Sequence, residues 1–110
     1  MTYNEGMYTI TETLLFSAKA KGIWSEDEHG EFCAWLAINP FAGDVVPGSG
    51  GCRKVRWKRS GTGKSGGVRV IYFNRLAHGE ILLLTIYAKA VQENIPAHIL
   101  KAIAEELQND

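Results

Sequence analysis

The segment Cys52 to Arg69, CRKVRWKRSGTGKSGGVR, holds seven of the chain's twelve lysines and arginines and no acid. Between Asp44 and Glu80 no Asp or Glu occurs, and all twelve carboxylates of the 110-residue chain lie outside that window. A formal net charge of zero therefore hides a basic middle and acidic ends, a distribution that concentrates positive potential on one surface and suits a polyanion. Lys54, Arg56 and Lys58 alternate with Val55 and Trp57, the period of a strand with one cationic and one apolar face. Arg69 opens the next strand pattern, Lys89 ends the one after it, and Tyr87 shares a side with Lys89 by the period of two. Lys54, Arg56 and Arg69 are thus expected on one face of a sheet, with Lys89 at its rim. Arg53, Lys58, Arg59 and Lys64 are expected as further contacts to the polyanion. Cations beside aromatic rings fit a phosphodiester backbone with stackable bases.

Other chemistries fit less well. GTGKSG lacks the spacing of a phosphate-cradling loop and leads into a strand, not a helix. No paired carboxylates fall near the basic strands, which disfavours a metal-dependent nuclease. Cys33 and Cys52 are read as reduced, half-buried thiols, and no four convergent zinc ligands suggest themselves, so no metal and no cofactor are expected. His29, His78 and His98 are read as exposed residues on a helix start, a turn and a helix surface.

The elements that must position the basic face follow from periodicity. Tyr8 to Glu12 is β-rich and reads as a short first strand. A helix from Thr13 is expected to present Leu14, Leu15, Ala18 and Gly22 on one face, with Gly22 stopping it. Ser25 with Glu28 is a capping box, and Phe32, Trp35, Leu36 and Ile38 continue a second helix to Asn39-Pro40. Residues 41 to 51 read as a Gly- and Pro-containing loop. Strands are expected at Cys52 to Arg59, Val68 to Asn74 and Glu80 to Lys89, separated by the polar turn SGTGKSGG and the turn Ala77-His78-Gly79. The apolar run in the last strand marks it as central. Pro96 opens a closing helix with Ile99, Leu100, Ile103 and Leu107 as its stripe. The result is one compact α+β domain over residues 1–110. It has a short N-terminal strand and helical hairpin, an antiparallel meander and a C-terminal helix. The longest apolar run is far too short to span a bilayer, and no basic-then-apolar leader is present, so a cytoplasmic location and no membrane contact are expected.

Three stretches carry a family resemblance: NPFAGDVVPGSGGCRKVRW from Asn39, GTGKSGGVRVIYF from Gly61 and ILLLTIYAK from Ile81. In these the chain resembles the RelE/ParE toxin superfamily, and within it the HigB branch of type II toxin–antitoxin systems. The resemblance implies a RelE-like fold and a ribosome-dependent messenger-RNA endonuclease (an mRNA interferase). It also implies neutralisation by a cognate HigA-like antitoxin with a helix-turn-helix domain. The family's basic strand pair falls on Lys54 and Arg56, its next arginine on Arg69, and its late basic residue on Lys89, where the RelE pattern has arginine. The C-terminal tyrosine of the RelE pattern falls near Ile95 and is missing, which leaves Tyr87 as the replacement. Lys54 is the expected base, Arg56 and Arg69 the stabilisers of phosphorane charge, and Lys89 or Arg69 the group at the leaving oxygen. Two rival classes stand beside this one: a ParE-like toxin that binds DNA gyrase, in which the basic set is expected to be thinner, and a nucleic-acid-binding module without chemistry.

Overall fold

A computed structural model describes residues 8–58, 67–89 and 95–108. Arg59 and Lys64, with the turn that carries them, lie outside the described residues. The order is β1 (Thr9–Glu12), α1 (Leu14–Ile23), α2 (Glu26–Ile38), β2 (Asp44–Val45), β3 (Arg53–Trp57), β4 (Val68–Arg75), β5 (Glu80–Ala88) and α3 (Ala97–Gln108). The strands form one mixed sheet in the order β1-β5-β4-β3-β2, with β1 parallel to β5 and the other pairs antiparallel. The α+β architecture and the antiparallel meander are as expected, and β5 is an interior strand buried on both faces, as its apolar run indicated.

Each face of the sheet has its own core. Phe16, Ala20, Trp24, Phe32 and Leu36 from the helical hairpin pack on Val55, Val68, Val70, Tyr72, Ile81, Leu83 and Ile86. On the other face Leu100 and Ala104 of α3 pack on Cys52, Ile71, Phe73, Leu82, Leu84 and Tyr87. The hairpin side is rich in rings, with Trp24–Phe32, Phe32–Trp57 and Trp35–Trp57 centroids 5.1, 5.2 and 4.8 Å apart.

Helix starts follow local chemistry. Thr13 caps α1, its hydroxyl accepting from the Phe16 N–H at 3.0 Å and donating to the Leu84 carbonyl at 2.9 Å. Ser25 and Glu28 form the capping box of α2, at 3.1 and 2.9 Å. The faces of these helices differ from expectation. Leu14 is 90% exposed and Leu15 is exposed, while Phe16 and Ala20 point inward. The bond from Thr13 to β5 fixes the rotation of α1, and the i, i+4 pair Phe16/Ala20 offers a bulkier stripe than Leu14/Ala18. Gly22 does not end the helix; it continues to Ile23, and the Trp24 N–H closes it on Ala20 O. In α2, Ala37 is buried where Ile38 was expected. In α3, Ala104 is buried and Ile99 is 42% exposed.

The loop before β3 contains a strand that no periodicity announced. Tyr72 anchors it: its hydroxyl accepts from the Gly43 N–H at 2.9 Å and donates to the Pro40 carbonyl at 2.8 Å, and Asn74 Nδ2 donates to the same carbonyl. A Cβ on Gly43 would lie 2.8 Å from the Lys54 carbonyl oxygen, so only glycine lets this segment lie against β3. β2 follows directly and pairs Asp44 with Lys54 and Val45 with Arg53.

Candidate functional site

The basic residues sit in rows across the α3 face of the sheet. Lys54, Ile71 and Thr85 are cross-strand partners in one row, and Arg56, Arg69 and Tyr87 in the next. Lys58 and Lys89 follow directly after β3 and β5, and the Lys89 N–H donates to Gly67 O at 3.1 Å, level with the start of β4. Lys54, Arg56, Lys58 and Lys89 are exposed and Arg69 is half-buried. The Arg69 guanidinium reaches back to the Val68 carbonyl at 3.4 Å. The alternation of β3 and β4 brings Lys54, Arg56 and Arg69 to one face, where Tyr87 joins them from β5 and Lys89 follows at its end.

Tyr87 reaches this face through a β-bulge. The β4–β5 ladder runs Tyr72↔Leu83 and then Ile71↔Thr85, leaving Leu84 as an extra residue on β5. Leu83 packs in the hairpin-side core. Strict alternation from it would send Thr85 and Tyr87 to that side as well; the extra residue reverses the phase, so Ile86 packs there and Tyr87 lies over β4 beside Arg69. Tyr87 is 9% exposed and packs in the α3-side core, so it presents little ring surface to a base.

Arg53 is not brought to these rows. It faces the hairpin side, donates from Nη1 to the Gly43 carbonyl at 2.7 Å, and stacks over the Phe41 ring 5.1 Å from its centroid. The start of β4 is tightly built: Gly67 has φ +73, and a Cβ there would collide with the Trp57 carbonyl. The chain can therefore enter β4 beside β3 only with glycine at this position.

Two residues of this face were not anticipated. Asp44 stands across the ladder from Lys54, bringing an acid to the edge of the basic rows. Its signal was weak, because a two-residue strand has no detectable period. Thr85 is 1% exposed, and its hydroxyl has no hydrogen-bond partner among the described residues. It is the one polar residue inside ILLLTIYA, and that was the sign available. Of the histidines, His78 is exposed and bonded to Arg75 and His98 is exposed, as expected, whereas His29 is half-buried against Glu12. Cys52 is fully buried where a half-buried thiol was expected, and that burial raises its thiol above its usual value, with a hydrogen bond from Ser49 opposing.

No protein-family model matches the chain. Among solved structures, it is similar to the free state of an E. coli toxin RelE mutant carrying two arginine-to-alanine substitutions. The TM-score is 0.62 at 12% identity, with 89% of this chain and 97% of that chain covered. The fold is therefore RelE-like. Among the described residues, no helix is long and apolar enough to cross a membrane.

Proposed function

We propose that this protein is the toxin of a type II toxin–antitoxin system, of the HigB branch, and cleaves messenger RNA on the ribosome. The observation that carries the reading is the direct pairing of Arg56 with Arg69, with Lys54 one row away on the same face. Like charges placed opposite each other destabilise a sheet, and an anion held between them reverses that cost. The RelE-like fold and the toxin named in the similar structure support the same assignment.

The reaction is attack of an RNA 2′-hydroxyl on its own neighbouring phosphate. The 2′-O–P bond forms and the P–O5′ bond breaks, leaving a 2′,3′-cyclic phosphate and a 5′-hydroxyl. Nucleophile and electrophile belong to one strand, so holding the linkage bent supplies much of the rate. Arg56 and Arg69 stabilise the charge growing on the phosphorane oxygens. Lys54, as the free amine, takes the 2′-hydroxyl proton, and Lys89 donates one to the departing 5′-oxygen. Tyr87 sets the position of Arg69 and offers its hydroxyl to the linkage. Lys58, Arg59 and Lys64 dock ribosomal or messenger RNA, and Arg53 holds the edge of the sheet for them. A HigA-like helix-turn-helix antitoxin is the neutralising partner, and the cytoplasm is the site of action.

Mapping RNA ends after brief expression in growing cells tests the proposal. New 5′ ends inside translated regions are expected with the wild-type chain, and none with the Arg56→Ala/Arg69→Ala variant accumulating in folded form. Cleavage that persists in that variant would defeat the assignment. Altered DNA supercoiling with intact RNA would establish the gyrase-binding alternative instead.

A further inference from the structure

On the sheet face opposite the basic rows, three metal-ligating side chains from separate elements converge. Glu12 ends β1, while His29 and Cys33 stand one helical turn apart on α2 and so project from the same side of it. His29 Nε2 lies 2.5 Å from Glu12 Oε2, and Cys33 Sγ lies 3.9 Å from that same oxygen. The three ligand atoms all fall within 4.8 Å of one another.

We propose that Glu12, His29 and Cys33 form a zinc(II) site that ties β1 to α2. An imidazole nitrogen, a thiolate and a carboxylate oxygen are the three ligand types zinc accepts at about 2.0–2.3 Å, and a tetrahedral ion takes a fourth ligand from water. Ligand atoms around such an ion stand roughly 3.5 Å apart. Seating it requires the His29–Glu12 contact to open from 2.5 Å. Magnesium and calcium reject a thiolate, which narrows the choice to the softer divalent ions.

The surroundings match those of a built metal site. Ser17 Oγ donates to the other carboxylate oxygen, Glu12 Oε1, at 2.6 Å and fixes the plane of the carboxylate. Phe16 and Trp24 wall the imidazole, with ring centroids 5.9 and 5.8 Å from it. Side-chain exposures of 27% for His29 and 22% for Glu12 leave an approach for the ion and its water. Binding exchanges the thiol proton for the metal, and that proton passes to solvent. The ion would clamp the hairpin layer and take no part at Lys54, Arg56 or Arg69, which occupy the other face.

The test uses the full chain stripped of metal, with Zn2+ competed against a chromophoric chelator and Co2+ followed by absorbance. Expected are one ion per chain, bound tighter than about 10 μM, and a thiolate-to-cobalt charge-transfer band. His29→Asn, Glu12→Gln and Cys33→Ala should each weaken Zn2+ roughly 100-fold, and Ser17→Ala roughly 10-fold. Cys52→Ala and the pair His78→Asn/His98→Asn should leave binding unchanged, since those residues lie elsewhere. A wild-type chain without the cobalt–thiolate band overturns the proposal whatever the variants do. So does Zn2+ binding that Ser17→Ala and the folded ligand variants leave within about twofold.

Discussion

Tyr87 is paired with Arg69 because β5 carries one more residue than β4 at the Ile71/Tyr72 step. The ring belongs to the α3-side core, so its hydroxyl and its packing are separable. Tyr87→Phe keeps the packing and should melt close to the wild type, while RNA cleavage falls on the order of 100-fold if the hydroxyl serves the proton transfers. Tyr87→Ala should cost about 3–5 kcal/mol in denaturant unfolding, so its lost activity would report the core. Full cleavage by the Phe variant would confine Tyr87 to holding Arg69 in place.

Arg56 faces Arg69 across the β3–β4 ladder. Arg56→Gln removes a like-charge contact and should leave the protein as stable as before or more stable by about 0.2–1 kcal/mol, while cleavage is lost. A variant that melts clearly lower would show that the guanidinium holds the sheet together and does not primarily receive an anion.

Asp44 opposes Lys54 at the sheet edge. Asp44→Asn should tighten binding to a single-stranded RNA oligonucleotide at low salt. Its logarithmic salt slope should steepen by roughly 0.7, the release of one further counterion. Fluorescence anisotropy over a salt series measures both. An unchanged slope would place Asp44 outside the RNA footprint.

Tyr72 bridges Pro40 and Gly43, and Tyr72→Phe should cost about 1–3 kcal/mol because the buried Gly43 N–H loses its acceptor. The hydroxyl's pKa is raised above the ordinary tyrosine value, first by burial and then by Asp44, with Gly43 and Arg53 opposing. A proton held more tightly in the folded state adds stability that is full below the unfolded value near pH 10. That stability is lost as pH rises through the folded value. Urea midpoints followed into alkali should therefore fall more steeply above about pH 10 in the wild type than in the Phe variant.

Much of this arrangement was legible from alternation. The opposed faces of β3 and β4 were fixed by KVRW and VRVIYF, because a period of two leaves no second solution once one face is apolar. Ser25 and Glu28 located a helix start by their own chemistry. The helix faces were less legible, since α1 offers two overlapping apolar stripes and only the tie between Thr13 and β5 selects one. The bulge was hidden in a run of apolar residues that carries no phase. Asp44 was hidden by the shortness of β2. The meeting of Glu12, His29 and Cys33 depends on the parallel pairing of β1 with β5, a long-range contact that local pattern does not encode.

That parallel pairing also sets an order of events during synthesis. Thr9–Glu12 can find its neighbour only after Glu80–Leu83 has left the ribosomal tunnel. The same strand then delivers Tyr87 and Lys89. A nascent chain that has already exposed Lys54, Arg56 and Arg69 still lacks β5 and with it the Tyr87 side of the basic face. The basic face is therefore completed only by the last of the strands to be made.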